Sequence, residues 1–198
     1  MKKIVLSFLI IFIFTAASGQ LRLGYKIGVN TASIKNTSGD NTFMAGLNTG
    51  LFSNVYFSDK YFLDAELLLS VKGYNSILIP AGTTRHRLSY VSVPVLLGMQ
   101  ASKKISFLLG PEINFLTKAI KKTSTYKKTI THRYNNQDIG IDAGIAYNFS
   151  KKIKLDLRYN YGLTKVIKEA VPDNSGDVMS YKNNGFNQVI QLDLSFIF

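Results

Sequence analysis

Cysteine and tryptophan are both missing from this chain of 198 residues. Without cysteine there is no disulfide framework, no thiolate metal site and no lipid-anchored N-terminal cysteine. Without tryptophan, the aromatic side chains are tyrosine and phenylalanine, with the two histidines, His86 and His132, beside them. Acidic residues are scarce: 12 Asp and Glu stand against 24 Lys and Arg, a formal net charge of +12. Long apolar runs are scarce as well. The chain is 46% hydrophobic, yet no internal run is long enough for a transmembrane helix. No glycine pattern follows a strand-to-helix step, which excludes a dinucleotide or phosphate loop.

What is present begins with a leader. Met1 to Gly19 reads as a secretory signal peptide: Lys2-Lys3, an apolar core from Ile4 to Phe14 broken only by Ser7, then small residues at Ala17-Ser18-Gly19. The apolar run is too short for a comfortable membrane anchor, so the expected mature chain starts at Gln20. A basic chain can bind nucleic acid, but export predicts no nucleic-acid partner. Phosphates of acidic lipid or polysaccharide are the expected counterparts.

The rest alternates. In Ile139 to Phe149, the residues Ile139, Ile141, Ala143, Ile145, Tyr147 and Phe149 are apolar, with Gly140, Asp142, Gly144, Ala146 and Asn148 between them. After Ser150-Lys151-Lys152 the pattern resumes, with Ile153, Leu155, Leu157, Tyr159, Tyr161 and Leu163 on one face and Lys154, Asp156, Arg158, Asn160 and Gly162 on the other. A period of two is a β-strand, and each arm is about the length that crosses a bilayer when tilted. Six further stretches behave alike: 21–32, 42–52, 61–73, 88–100, 105–116 and 190–198, the last with Gln191, Asp193 and Ser195 inward. Pro94 and Pro111 interrupt two of them and predict kinks or bulges, because proline removes a ladder donor. The connections alternate long and short. Loops at 33–41, 74–87, 117–137 and 164–187 read as external, and turns at 54–60, 101–104 and 150–152 as periplasmic.

The expected fold is all-β: an eight-stranded antiparallel up-and-down transmembrane β-barrel over residues 20–198, behind a cleaved leader at 1–19, in the outer membrane with both termini periplasmic. A soluble lipocalin-like barrel would turn its apolar set inward. Here the set opposite to the apolar face includes Lys26, Asp64, Glu66, Lys72, Glu112, Asp142, Asp156 and Arg158, a charge network that can pair across a narrow lumen and plug it. Glycines in the first and sixth strands reduce bulk there. Aromatics gather near strand ends, as interfacial belts do.

Several segments resemble a known family. Leu21 to Asn30 (LRLGYKIGVN), Leu88 to Leu97 (LSYVSVPVLL), Leu109 to Leu116 (LGPEINFL) and Asp138 to Gly144 (DIGIDAG) resemble strands of the Bacteroidetes-type outer-membrane β-barrel domain family, whose members are described as PorT-like or porin-family proteins. The resemblance spans nearly all of the mature chain. It makes Pro94 and Pro111 family features, and implies a location and a fold rather than a reaction. It also suggests an accessory role toward a secretion or surface partner. Phe196 and the final Phe198 resemble the terminal aromatic signal read by the barrel assembly machinery, without its usual upstream glycine.

Chemistry-bearing motifs are few. His86 and His132 fall in expected external loops. His86 lies near Ser89, but triads are recognised by geometry and not by spacing, and no metal-ligand spacing is present. No catalytic residue, metal or cofactor is assigned. The sharpest local feature is the run holding Lys118, Lys121, Lys122, Lys127, Lys128 and Arg133, with no Asp or Glu from Lys118 to Gln137. It is a candidate loop for lipopolysaccharide phosphates or another acidic partner; otherwise it is a solvated loop. The expected function is that of a non-enzymatic outer-membrane barrel with a structural, accessory or surface-binding role. The alternatives are a small passive channel, a lipid-modifying barrel enzyme, or a soluble periplasmic carrier.

Overall fold

The computed structural model describes residues 20–35, 41–78, 82–172 and 178–198. The expected leader, Met1 to Gly19, the loop centre at 36–40 and Pro80 lie outside these residues. Eight strands form a closed antiparallel ring: β1 (Gln20–Lys35), β2 (Asn41–Tyr56), β3 (Tyr61–Leu78), β4 (Gly82–Gln100), β5 (Ile105–Lys122), β7 (Gln137–Asn148), β8 (Ile153–Gly162) and β11 (Phe186–Ile197). Consecutive ring strands are neighbours, and β1 closes on β11 with Ile27 opposite Leu194. The alternation read from the sequence becomes an apolar outer wall: Leu47, Leu69, Leu109 and Leu157 are all more than half exposed. A soluble protein does not expose so continuous an apolar surface, and a barrel wall facing lipid does.

The strands differ from expectation mainly in height. Residues 74–87 and 117–137 are not simple loops. β3 and β4 run on, Tyr74 facing His86 and Asn75 facing Arg85. β5 continues to Lys122 and folds back through β6 (Lys127–Thr129) and a single 3-10 turn (Thr131–Arg133). Within 164–187, β9 (Ile167–Pro172) and β10 (Val178–Asn184) form a separate hairpin. In β3, β4 and β5 the extensions turn Tyr74 and Ala119 inward and Arg85, Arg87 and Lys122 outward, the reverse of the lipid-facing wall, so an alternation with its apolar set outside cannot reveal them. Nor do the prolines shift the register. Pro94 stays opposite Glu112 and Pro111 opposite Ile141. The shift in the β4–β5 ladder falls between Ser89 and Tyr90, where Thr117 is the extra residue.

At the opposite end the connections are tight and alike. In each, a serine hydroxyl accepts backbone N–H groups two and three residues on. Ser58 takes Lys60 and Tyr61 (3.3 and 3.0 Å), Ser102 takes Lys104 and Ile105 (3.3 and 3.1 Å), and Ser150 takes Lys152 and Ile153 (3.2 and 3.1 Å). Such local bonds give the backbone an alternative to continuing the ladder, so the chain reverses there.

The inward side chains stack in three layers. An apolar plug of Phe62, Leu96, Leu108 and Ala146, with Tyr56 beside it, closes the turn end. A polar layer fills the middle. A second apolar cluster closes the loop end: Ile34, Tyr74, Leu88, Tyr90, Ala119, Ile130, Tyr134 and Val166.

Candidate functional site

Every charged residue expected in the lumen is buried there: Lys26, Asp64, Glu66, Lys72, Glu112, Asp142, Asp156 and Arg158. Lys26 Nζ lies 2.6 Å from Glu66 Oε1 and 2.9 Å from Asp156 Oδ2. Arg158 spans 2.9 Å contacts to both Glu66 and Asp193. Lys72 meets Glu112 at 2.6 Å and also donates to Asn114 at 2.9 Å. Lys154 and Asp193, inward by parity but not counted in the expected network, belong to it: Lys154 reaches Asp64 at 3.2 Å. Among the described residues, four buried cations (Lys26, Lys72, Lys154, Arg158) face seven buried carboxylates (Asp64, Glu66, Glu112, Asp138, Asp142, Asp156, Asp193). The positive charge of the chain is therefore carried elsewhere, on its rims. Among the described residues no group of three His, Cys, Asp or Glu side chains is placed to hold a metal ion.

Large inward side chains need empty neighbours. A Cβ at Gly98 would fall inside the Phe62 ring, and one at Gly24 would meet Phe52. Lys26 and Lys154 lie over the Phe52 face, 5.6 and 5.0 Å from its centroid, so a cation–π contact joins this ring to the charged layer.

Three rings meet in the loop-end cap beside Tyr90. Tyr74 stacks on His86 with centroids 4.5 Å apart, and the Tyr134 hydroxyl is 3.0 Å from both His86 Nδ1 and the Tyr74 hydroxyl. Sequence reasoning misses this cap, because Tyr134 reaches the barrel only through the turn after β6. Burial, with Lys121 and Arg133 nearby, lowers His86 from 6.5 to about 4, while burial pushes Tyr74 and Tyr134 up. His86 points into the cap and Ser89 lies three steps along the same strand, on the other face. The structure does not bring them together. His132 is exposed.

The basic run forms an antiparallel hairpin in which Lys122 pairs with Lys127 and Lys121 with Lys128. Lys118, Lys122, Lys127, Lys128 and Arg133 are exposed, and Lys121 is half-buried. On the outside of the wall, Lys122 and Lys127 line a cleft of about 460 Å³ with Arg85 and Arg87 of β4, over Val29, Ala45 and Leu47. At the turn end, Phe196 and Phe198 are both exposed.

A family model described as outer membrane protein beta-barrel domain matches residues 15–168. No curated protein sequence matches the chain. Among solved structures, Neisserial surface protein A is similar at 13% identity and a TM-score of 0.59, over 89% of this chain and 97% of that one. Ail of Yersinia pestis, solved in complex with the heparin analogue sucrose octasulfate, is similar at 16% identity and a TM-score of 0.51, over 91% and 99%. At these identities the likeness is one of fold.

Proposed function

This chain belongs to the outer membrane protein β-barrel domain family and resides in the outer membrane, and from that premise we propose that it is a non-enzymatic, non-conducting barrel that holds a basic surface outside the cell. The observation that carries this reading is the filled lumen: two apolar layers seal its ends, and ion pairs of 2.6 to 3.8 Å occupy its middle. Eight strands leave little room for solvent in any case, which weighs against a passive channel. A carrier for apolar ligands is disfavoured because the interior is charged. A lipid-modifying triad is disfavoured because Ser89 and His86 lie on opposite faces.

In this reading the leader at 1–19 is removed and residues 20–198 form the barrel. The serine turns and both ends of the mature chain face the periplasm, where Phe196 and Phe198 meet the assembly machinery. Lys118, Lys121, Lys122, Lys127, Lys128 and Arg133 stand at the external end of the barrel and meet lipopolysaccharide or another acidic partner. An accessory role beside a secretion system is a narrower form of the same function, suggested by the PorT-like resemblance.

The test is reconstitution of the full barrel, checked for a mobility shift on boiling. Planar bilayers stay silent, and sucrose octasulfate, the polyanion held by Ail, binds in a salt-dependent way that a glutamine variant of the six cations weakens. Single-channel steps from the wild-type protein would sink the sealed-barrel reading. Unchanged polyanion binding by the variant would sink the surface-binding one.

A further inference from the structure

The cations of the basic hairpin do not share one surface. Strand alternation sorts them. Lys122 and its ladder partner Lys127 are on the outside of the wall, where Arg85 and Arg87 join them. Lys121 is paired with His86 and turned toward the mouth. The outside set lacks a counter-charge: no acidic residue lines its cleft, and none of the four cations forms an ion pair among the described residues. Four like charges this close repel one another, and no acidic side chain among the described residues lines the cleft to relieve them.

The position of the cleft says what does. Its floor is lipid-facing, with Val29 53% and Leu47 62% exposed. On β4, the twelve steps from Met99 to Arg87 climb about 30 Å for a tilted strand. That is roughly the thickness of a hydrocarbon core, so Arg87 stands at the height of the headgroups. The guanidinium forks of Arg85 and Arg87 suit bidentate contacts to phosphate oxygens, and the lysines add point charges.

We infer that this cleft binds a phosphorylated, acylated lipid of the outer leaflet, with its phosphate held by Arg85, Arg87, Lys122 and Lys127 and an acyl chain laid along Val29, Ala45 and Leu47. The inference rests on the surface-binding reading above and narrows it to one face of the hairpin.

The experiment uses the folded full barrel in detergent and native mass spectrometry, with bisphosphorylated lipid A as the probe. One variant is Arg85→Gln/Arg87→Gln/Lys122→Gln/Lys127→Gln. The comparison variant is Lys121→Gln/Lys128→Gln/Arg133→Gln, which removes the mouth-side cations and so measures their share of the binding. Both are checked for the boiling shift before use. The first variant is expected to lose about tenfold or more in lipid affinity, a change of about 1.4 kcal/mol, and the comparison variant at most about twofold. Dephosphorylated lipid A, and the phosphorylated disaccharide without acyl chains, both bind the wild-type barrel weakly. Equal loss in both variants, or equal binding of the acyl-free sugar, overturns the lipid site. If sucrose octasulfate then depends on the mouth-side cations alone, the surface-binding reading stands without it. If neither variant changes binding of either probe, both fall.

Discussion

Lys26 on β1 reaches Glu66 on β3 at 2.6 Å by passing over β2, where its ladder partner is Gly50. Lys72 on β3 reaches Glu112 on β5 in the same way, also at 2.6 Å, over β4. The pairs are thus stitched between alternate strands, and a residue without a side chain beneath the first makes the reach possible. Each carboxylate has more than one suitor: Glu66 also receives Arg158 at 2.9 Å.

Neutralising Glu66 leaves two buried cations short of a partner. Removing one member of a buried pair costs about 3–5 kcal/mol, so Glu66→Gln is expected to lower the urea midpoint of the folded band on unboiled gels sharply. Lys26→Met added to it removes one of the stranded charges and recovers part of the loss. A double variant no better than the single one would mean that Lys26 is served by Asp156 alone.

The lower plug offers a steric test. Gly98→Ala forces the Phe62 ring aside and is expected to cost about 1–3 kcal/mol, the range for overpacking. Phe62→Leu in the same chain relieves it, so the two changes are less damaging together than their sum. Strict additivity in denaturant titrations would show that the ring was never in the way.

The mouth can be opened without opening the barrel. Tyr134→Ala with Tyr74→Ala removes two of the aromatic rings of the cap but leaves the charged layer and lower plug untouched. Protease cleavage near β6 is expected to rise, while planar bilayers stay silent. Conductance in this variant would locate the seal at the cap alone.

Acid should loosen that same cap. His86 titrates at about 4 in the folded chain, against 6.5 when free, so the folded state binds fewer protons between these values. Stability of the cap is therefore full above about pH 6.5 and declines as pH falls through about 4. Lys121 and Arg133 face the ring and add to the effect. Protease accessibility near β6 is expected to increase over that window, and His86→Phe to flatten the dependence; an identical acid profile in that variant removes His86 from the explanation.

Much of this architecture was legible in residue parity. Alternation around Lys26, Glu66 and Arg158 placed them on one face, and the loop lengths ordered the strands. What parity could not show was which charges meet, since Lys154 and Asp64 are distant in sequence and join only across the lumen. Nor could it show the tall extensions near His86 and Lys122, where Tyr74 and Ala119 face in and Arg85, Arg87 and Lys122 face out, the reverse of the lipid-facing wall. Tyr134 was hidden for a third reason: it enters the cap from a connection rather than from a ring strand. The lipid-side cleft combines Arg85 with Lys127, from two segments that the sequence presents as separate loops.

The span of the lumen contacts bears on assembly. Asp64 waits for Lys154, Glu66 for Arg158, and Asn48 for Asp193 on the last strand, partners 90, 92 and 145 positions apart in the chain. A barrel lacking its final hairpin would hold bare charges facing one another, which is costly away from water. Closure and neutralisation thus arrive together. The last strands to join the ring are also those that settle the charges of its interior.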